Sequence, residues 1–371
     1  MNNSLIRVSR RAMACEFEVC FPAGKCENGT EFALESLDLV ETLEGQLSYF
    51  RPESEISRIN RLAAETPIEV EPALFDLLCF ATRLFEETGG AYDITSAPLW
   101  EAWGFARRAG EIPSKTQLAE ARSCVGGQLV ELNPAERTIR FRKPGVKINV
   151  GSIGKGYALD VCTERLLALG MADFLLHGGQ SSVLARGSQA LAASSPLSLR
   201  ERARVRAAGE EGADSADLAE NNSQGPQPLL LSGHQPKVGR ERGVEWEVGV
   251  CDPRQPGRRL AVVRLDDRAL GTSGGQFQSF RHQGRRYGHI LDPRSGWPAE
   301  GVFSATVVAP TAALADALST AFYVMGPQPS LDYCRIHPEI GMIMLCPDDH
   351  GTKVEIHSAG LDDGQLAMCD V

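Results

Sequence analysis

Four stretches of this chain carry residue types that could do chemistry. In Ala315-Asp-Ala-Leu-Ser-Thr-Ala321 a carboxylate and a hydroxyl stand four residues apart, at Asp316 and Thr320. On a helix that spacing turns both oxygens to one face. Such a pair suits a hard cation such as Mg²⁺, with its other positions filled by water or phosphate oxygens; it is also what an ordinary solvated helix face looks like. In Tyr287-Gly-His-Ile-Leu-Asp-Pro-Arg-Ser-Gly296, His289 ends a short apolar run just before an Asp-Pro turn signal. A histidine there can face a cleft and act as a general base, since its unperturbed pKa lies near neutrality. In Ile148-Asn-Val-Gly-Ser-Ile-Gly-Lys-Gly-Tyr-Ala-Leu-Asp160, a strand, a glycine turn, Lys155 and a helix start follow one another like a phosphate cradle. Asn149 and Gly156 exclude a Walker A loop, and Leu159 excludes a dinucleotide fingerprint. A tight turn with a solvated lysine remains the alternative. Finally, Gly271-Thr-Ser-Gly-Gly275 could wrap an anion with small hydroxyls or could simply be a flexible turn between a strand and a loop.

The elements that must position these stretches are legible in the periodicity. Glu16 to Phe21 alternates as a half-buried strand. Helical spacing runs from Phe32 to Leu47 and from Pro72 to Thr88, the latter ended by Gly89-Gly90. Strands are predicted at Gln128 to Leu132, Thr138 to Phe141, Val146 to Val150, Phe174 to His177, Trp246 to Val250, Leu260 to Leu265 and Phe303 to Val308. Lys155 to Leu169 reads as a helix, and so does Thr311 to Met325, with Thr311 as N-cap and Gly326 just past its end. Strands and helices mix without a regular βαβ rhythm, which points to an α+β fold. From Ser188 to about residue 242 the composition shifts to Ala, Ser, Glu, Arg, Gly and Pro, with no aromatic residue before Ser232. Such a segment cannot bury enough surface to offset its ordering entropy. We therefore expect one domain, 1–187 with 243–371, interrupted by a disordered insertion at 188–242.

Bulk properties narrow the function. The chain has 371 residues, a formal net charge of -10 and 43% apolar residues. That acidity argues against a nucleic-acid partner and means that any phosphate site must be built locally. Ten scattered cysteines form no C-x-x-C pair and read as free thiols. With no signal-peptide or membrane-spanning run, the expected location is the cytoplasm.

Taken together and in order, the stretches resemble the ApbE-type flavin transferase family. The resemblance begins at Met13-Ala-Cys-Glu-Phe and continues through Ser48-Tyr-Phe-Arg-Pro-Glu-Ser-Glu-Ile-Ser-Arg-Ile-Asn60 and Gly90-Ala-Tyr-Asp93-Ile-Thr-Ser-Ala-Pro-Leu with Trp103-Gly-Phe. It takes in Lys155 to Asp160, Gly178-Gly179, Thr272-Ser-Gly, His289 to Gly296 and Ala315 to Ala321, which is nearly the whole chain outside the insertion.

The resemblance implies a compact, T-fold-related α+β unit of mixed sheets and helices. It implies Mg²⁺-dependent transfer of the FMN moiety of FAD to a threonine or serine hydroxyl of an acceptor flavoprotein, with release of AMP. The acceptor in this family is typically a subunit of a membrane redox complex or a flavoprotein carrying a short Asp/Ser/Gly/Thr-rich motif, and members are often periplasmic and membrane-anchored. By position, Asp316 and Thr320 match the side-chain metal ligands, Ser152 a backbone-carbonyl ligand, and His289 the catalytic base. Met13, Phe50, Ala91, Tyr92, Asp93, Lys155, Thr272, Ser273 and Ile290 match the FAD site. Phe50 departs from a usual tyrosine, and Gly275 and Gln276 stand where an acidic residue is common. Two other activities stay open: an FAD pyrophosphatase yielding FMN and AMP, and an FAD-binding protein without turnover.

Overall fold

The structure, a computed structural model, describes residues 4–189, 244–255, 257–275, 278–348 and 353–369. Its frame is an eight-stranded antiparallel sheet whose strands lie side by side in chain order. They are β1 (Leu5–Ala12), β2 (Cys15–Pro22), β3 (Phe174–Gly178), β4 (Ser182–Arg186), β5 (Ala269–Gly274), β6 (Ser304–Ala309), β7 (Gly341–Pro347) and β8 (Val354–Ala359). The inner strands are apolar on both faces because both are covered. Phe174, Leu176, Leu184, Val307 and Met342 point to a core built with three helices: α1 (Gly29–Leu47), α2 (Gly154–Ala168) and α3 (Ala312–Met325). Leu175, Val183, Leu270 and Ile343 point the other way, onto a three-stranded sheet of Trp246–Cys251, Arg259–Leu265 and Leu366–Met368. The mixed α+β expectation holds.

Every strand runs opposite to its neighbours, so alternate connections share an end of the sheet. The β1–β2 turn, the β3–β4 turn and the long β5–β6 connection emerge together. This geometry brings Met13, Gly179 to Ser181 and His289 to one rim, although they are far apart in sequence.

Most predicted elements are present, within a few residues at their ends, and Thr311 caps α3 by accepting from the Leu314 N–H at 3.3 Å. Two expectations need correction. Val146 to Val150 alternates buried and part-buried residues as a strand would, yet belongs to no sheet. Its pairing partner is a side chain: the Asn60 amide donates to the Ile148 carbonyl (2.9 Å) and accepts from the Ile148 N–H (2.8 Å). Gly271 to Gly274 is not a loop but the body of β5. Its glycine is required by packing, since a Cβ on Gly271 would lie 2.5 Å from the Ala315 backbone in α3. The expected insertion lies, from residue 190 to 243, outside the described residues. Among the described residues no helix is long and apolar enough to cross a membrane.

Helices α2 and α3 meet at backbone contact. A Cβ on Gly156 would fall 2.1 Å from the Ala312 carbonyl oxygen. Four residues along α2, the buried Asp160 carboxylate accepts the N–H groups of Ala312 and Ala313, both at 2.8 Å. These are donors that the first turn of a helix leaves without partners. Burial pushes the Asp160 carboxyl up to about 7, while the two N–H groups pull it back. Asp160→Ala strands both donors in the core and is expected to lower stability by about 2–4 kcal/mol, with Asp160→Asn, which keeps one acceptor oxygen, losing roughly half as much. Urea denaturation midpoints at constant slope test this ordering.

Candidate active site

At the shared rim lies a cavity of about 840 Å³. Asp316 reaches it from α3 as a buried carboxylate, 5% exposed. Its oxygens are engaged on the protein side by the Ser182 hydroxyl of β4 (2.7 Å) and the Gly156 N–H of α2 (2.7 Å). Burial raises its pKa to about 6, opposed by the nearby Lys155 charge and by these two hydrogen bonds. One turn along α3, Thr320 also lines the cavity, and its hydroxyl lies 3.0 Å from that of Ser273 on β5.

His289 is held by the start of the hairpin made by Ser279–His282 and Arg285–Gly288. Its Nδ1 lies 3.0 Å from the Gln278 carbonyl oxygen, and its backbone N–H donates to the same oxygen at 3.1 Å. A carbonyl only accepts, so Nδ1 carries the ring proton and Nε2 keeps its lone pair. Burial lowers the imidazole pKa, the Gln278 carbonyl raises it and Lys155 lowers it again, with a net shift below the ordinary value. The ring is therefore neutral at neutral pH. The turn that follows is pinned from outside: the Trp103 indole donates to the Gly296 carbonyl at 2.8 Å, and Arg122 donates to the Arg294 carbonyl at 2.7 Å.

A third wall comes from the segment after the helix Pro72–Glu87. The left-handed Gly89 and Gly90 (φ +57° and +78°) turn the chain so that Ala91, Tyr92 and Asp93 face inward. Asp93 is buried, and its Oδ1 accepts from the N–H and the hydroxyl of Thr95 (2.7 and 2.6 Å). Its Oδ2 is buried with no protein partner, and burial raises the carboxyl to about 6. A buried, unengaged oxygen is costly in its charged form, in keeping with the raised carboxyl.

Aromatic rings close the mouth. Phe50 is 65% exposed and packs at 6.0 Å against Trp100, which also lines the cavity. Met13 sits in a two-residue hairpin loop in which both Met13 and Ala14 are left-handed (φ +48° and +60°). That geometry usually falls to Asn-Gly, and each side-chain-bearing residue there costs roughly 1–2 kcal/mol.

All thirteen residues singled out in the sequence, Met13, Phe50, Ala91, Tyr92, Asp93, Ser152, Lys155, Thr272, Ser273, His289, Ile290, Asp316 and Thr320, line this one cavity. The phosphate-cradle reading of the glycine turn needs revision. The N–H groups of Gly151, Ile153, Gly154 and Gly156 are taken up by Asn149, Val150 and Asp316 and do not point to a free anion nest. Sequence reasoning missed Ser182, which holds Asp316 from behind the lining, and Trp100 and the Glu18–His177 pair (3.2 Å), which line the cavity. Gly178-Gly179 marked the turn that carries the first of these but not its role.

The donor set is one of oxygens. Among the described residues no group of three or more His, Cys, Asp or Glu side chains is placed to hold a metal ion. One buried carboxylate with a hydroxyl on the same helix face fits a hard cation that takes its remaining oxygens from a phosphate ligand.

The model of the ApbE family matches residues 13–198 and 229–344. A protein of Haemophilus influenzae named FAD:protein FMN transferase is 27% identical over 328 residues, spanning 86% of this chain and 80% of that one. A Treponema pallidum protein of the same name is also 27% identical, over 85% and 76%. The crystal structure of the ApbE protein from Thermotoga maritima superposes with a TM-score of 0.73 at 25% identity, covering 95% of this chain and 96% of that one. The matched segments contain every cavity residue named above, and this chain is an enzyme of the ApbE family.

Proposed function

We propose that this enzyme transfers the FMN moiety of FAD to a threonine hydroxyl of an acceptor flavoprotein, releasing AMP. The observation that carries this reading is the convergence, on one cavity, of a neutral histidine, a lysine and a buried carboxylate with a hydroxyl beside it. These are the parts that phosphoryl transfer requires: a base for the incoming hydroxyl, cationic charge for the phosphates and donors for a hard cation. The names of the similar proteins supply the flavin and the protein acceptor.

In this reading Asp316, Thr320 and the backbone carbonyl of Ser152 hold Mg²⁺, which supplies Lewis-acid neutralisation of charge on the phosphate oxygens. Lys155 adds a fixed positive charge to the same region, which the chain's net charge of -10 otherwise disfavours. The exposed Phe50 and the half-buried Trp100 offer ring faces to a flat heteroaromatic group. Nε2 of His289 takes the proton of the acceptor hydroxyl as its oxygen bonds to the FMN phosphorus. The bond from that phosphorus to the bridging oxygen breaks, and AMP leaves with the electron pair. The Gln278 carbonyl keeps the imidazolium oriented through Nδ1–H.

The direct test is to incubate the protein with FAD, Mg²⁺ and a threonine-containing acceptor peptide and to weigh the products. A peptide heavier by one FMN phosphoryl unit, with AMP released, is expected. Free FMN with unmodified peptide would instead make water the acceptor, and intact bound FAD would leave a carrier. His289→Ala should cut transfer by about 10²–10⁴-fold while FAD affinity stays within about threefold; unchanged transfer would remove His289 as the base. Because the neutral imidazole is the active form and its pKa is held down, the acid limb of kcat/KM should lie below pH 6.5, the ordinary value, and a limb above it would contradict the assignment. Asp316→Ala should abolish the Mg²⁺ response, and a variant as active with EDTA as with the metal would count against the cation site.

A further inference from the structure

The β1–β2 loop and the loop after α1 both feed the cavity mouth, through Met13 and Phe50. The first of these loops is not held by its own sequence. Met13-Ala14 adopts a left-handed pair with no glycine or asparagine in it. Strained backbone of this kind persists only where surrounding structure holds it, and it concentrates at ligand clamps. Here the holding group is one side chain in the last turns of α1. Oε2 of Glu44 accepts the backbone N–H of Met13 at 2.9 Å. Its other oxygen, Oε1, lies 3.2 Å from the guanidinium of Arg51, the residue after Phe50. The second loop is steadied further by the Ser48 hydroxyl, which accepts from the N–H groups of Phe50 (3.2 Å) and Arg51 (3.1 Å).

We propose that Glu44 is a positioning residue for FAD: its carboxylate ties the Met13 and Phe50 loops together and so fixes the width of the cavity mouth. This rests on the reading that FAD occupies the cavity. The half-buried carboxylate touches no reacting atom and works only through the two loops, so its loss should act on ligand affinity and not on the chemical step. The Met13 bond is directional and needs only an acceptor oxygen. A glutamine can supply that oxygen. Glycine at position 14 takes the left-handed conformation without strain, so it should lessen the loop's dependence on the anchor.

The test measures FAD binding without turnover, by quenching of FAD fluorescence, beside steady-state kinetics and melting temperature. Glu44→Ala should bind FAD about tenfold more weakly, as expected from releasing a strained clamp, with the change in KM for FAD and kcat within about twofold. Glu44→Gln should recover most of the affinity, and Ala14→Gly in the Glu44→Ala background should recover part of it. Wild-type affinity in Glu44→Ala would overturn the proposal. So would weak binding that neither Glu44→Gln nor Ala14→Gly improves, or a loss that appears in kcat and leaves KM unchanged. A melting temperature restored by Ala14→Gly without any regain of FAD affinity would make Glu44 merely structural and equally overturn it. Failure of the wild-type protein to bind FAD would instead remove the functional reading on which the inference stands. Should Glu44→Ala fail to fold, Arg51→Ala cuts the second tie alone and must weaken FAD binding for the proposal to hold.

Discussion

Seating a charged residue between a helix and a sheet is the constraint on which this molecule turns. Asp316 is almost fully buried, and an ionisable group taken out of water is costly unless its oxygens are engaged. Two elements distant in sequence engage them, the Ser182 hydroxyl on β4 and the Gly156 N–H on α2. Both contacts need α3 to lie against its neighbours at backbone distance. Gly156 permits this on the α2 side and Gly271 on the β5 side, since a methyl group at either would meet main-chain atoms of α3. Asp160 then completes the grip by accepting the first two N–H groups of α3. The same three features that bury the carboxylate also aim it at the cavity.

The sheet supplies the rest of the geometry. Eight antiparallel strands in chain order force alternate connections to one end. A tight turn, a short glycine turn and the long connection bearing His289 thus meet above α2 and α3. Because both faces of the sheet are covered, this cavity opens at the rim. Its walls come from separate excursions, each fixed by a long-range contact such as the Trp103 indole on the Gly296 carbonyl.

Electrostatically the cavity sets one lysine, Lys155, among the carboxyl groups of Glu16, Glu18, Asp93 and Asp316. An acidic protein would repel a dinucleotide, yet Lys155 stands close enough to perturb Asp316 and His289. Burial raises the carboxyls of Asp316 and Asp93 and lowers the imidazole of His289. All three shifts favour uncharged forms in the free protein.

Much of this was written in local sequence. The periodic helices, the caps at Thr311 and Gly326 and the alternating or apolar strands follow from side-chain spacing against water, which acts over a few residues at a time. The Asp316–Thr320 pair and His289 before its turn were legible because their chemistry depends on residue type and short spacing. What the linear chain did not disclose depends on partners far along it. Gly156 looked like part of a phosphate cradle and proved to be a helix-contact glycine, 160 residues from the carboxylate it binds. Val146 to Val150 looked like a strand and is paired instead by the Asn60 amide, 88 residues away. Ser182 and Glu44 carried no signal at all, since a single hydroxyl or carboxylate has no period. Hydrogen bonds between such groups are set by where the backbone brings them, and only the closed tertiary fold decides that.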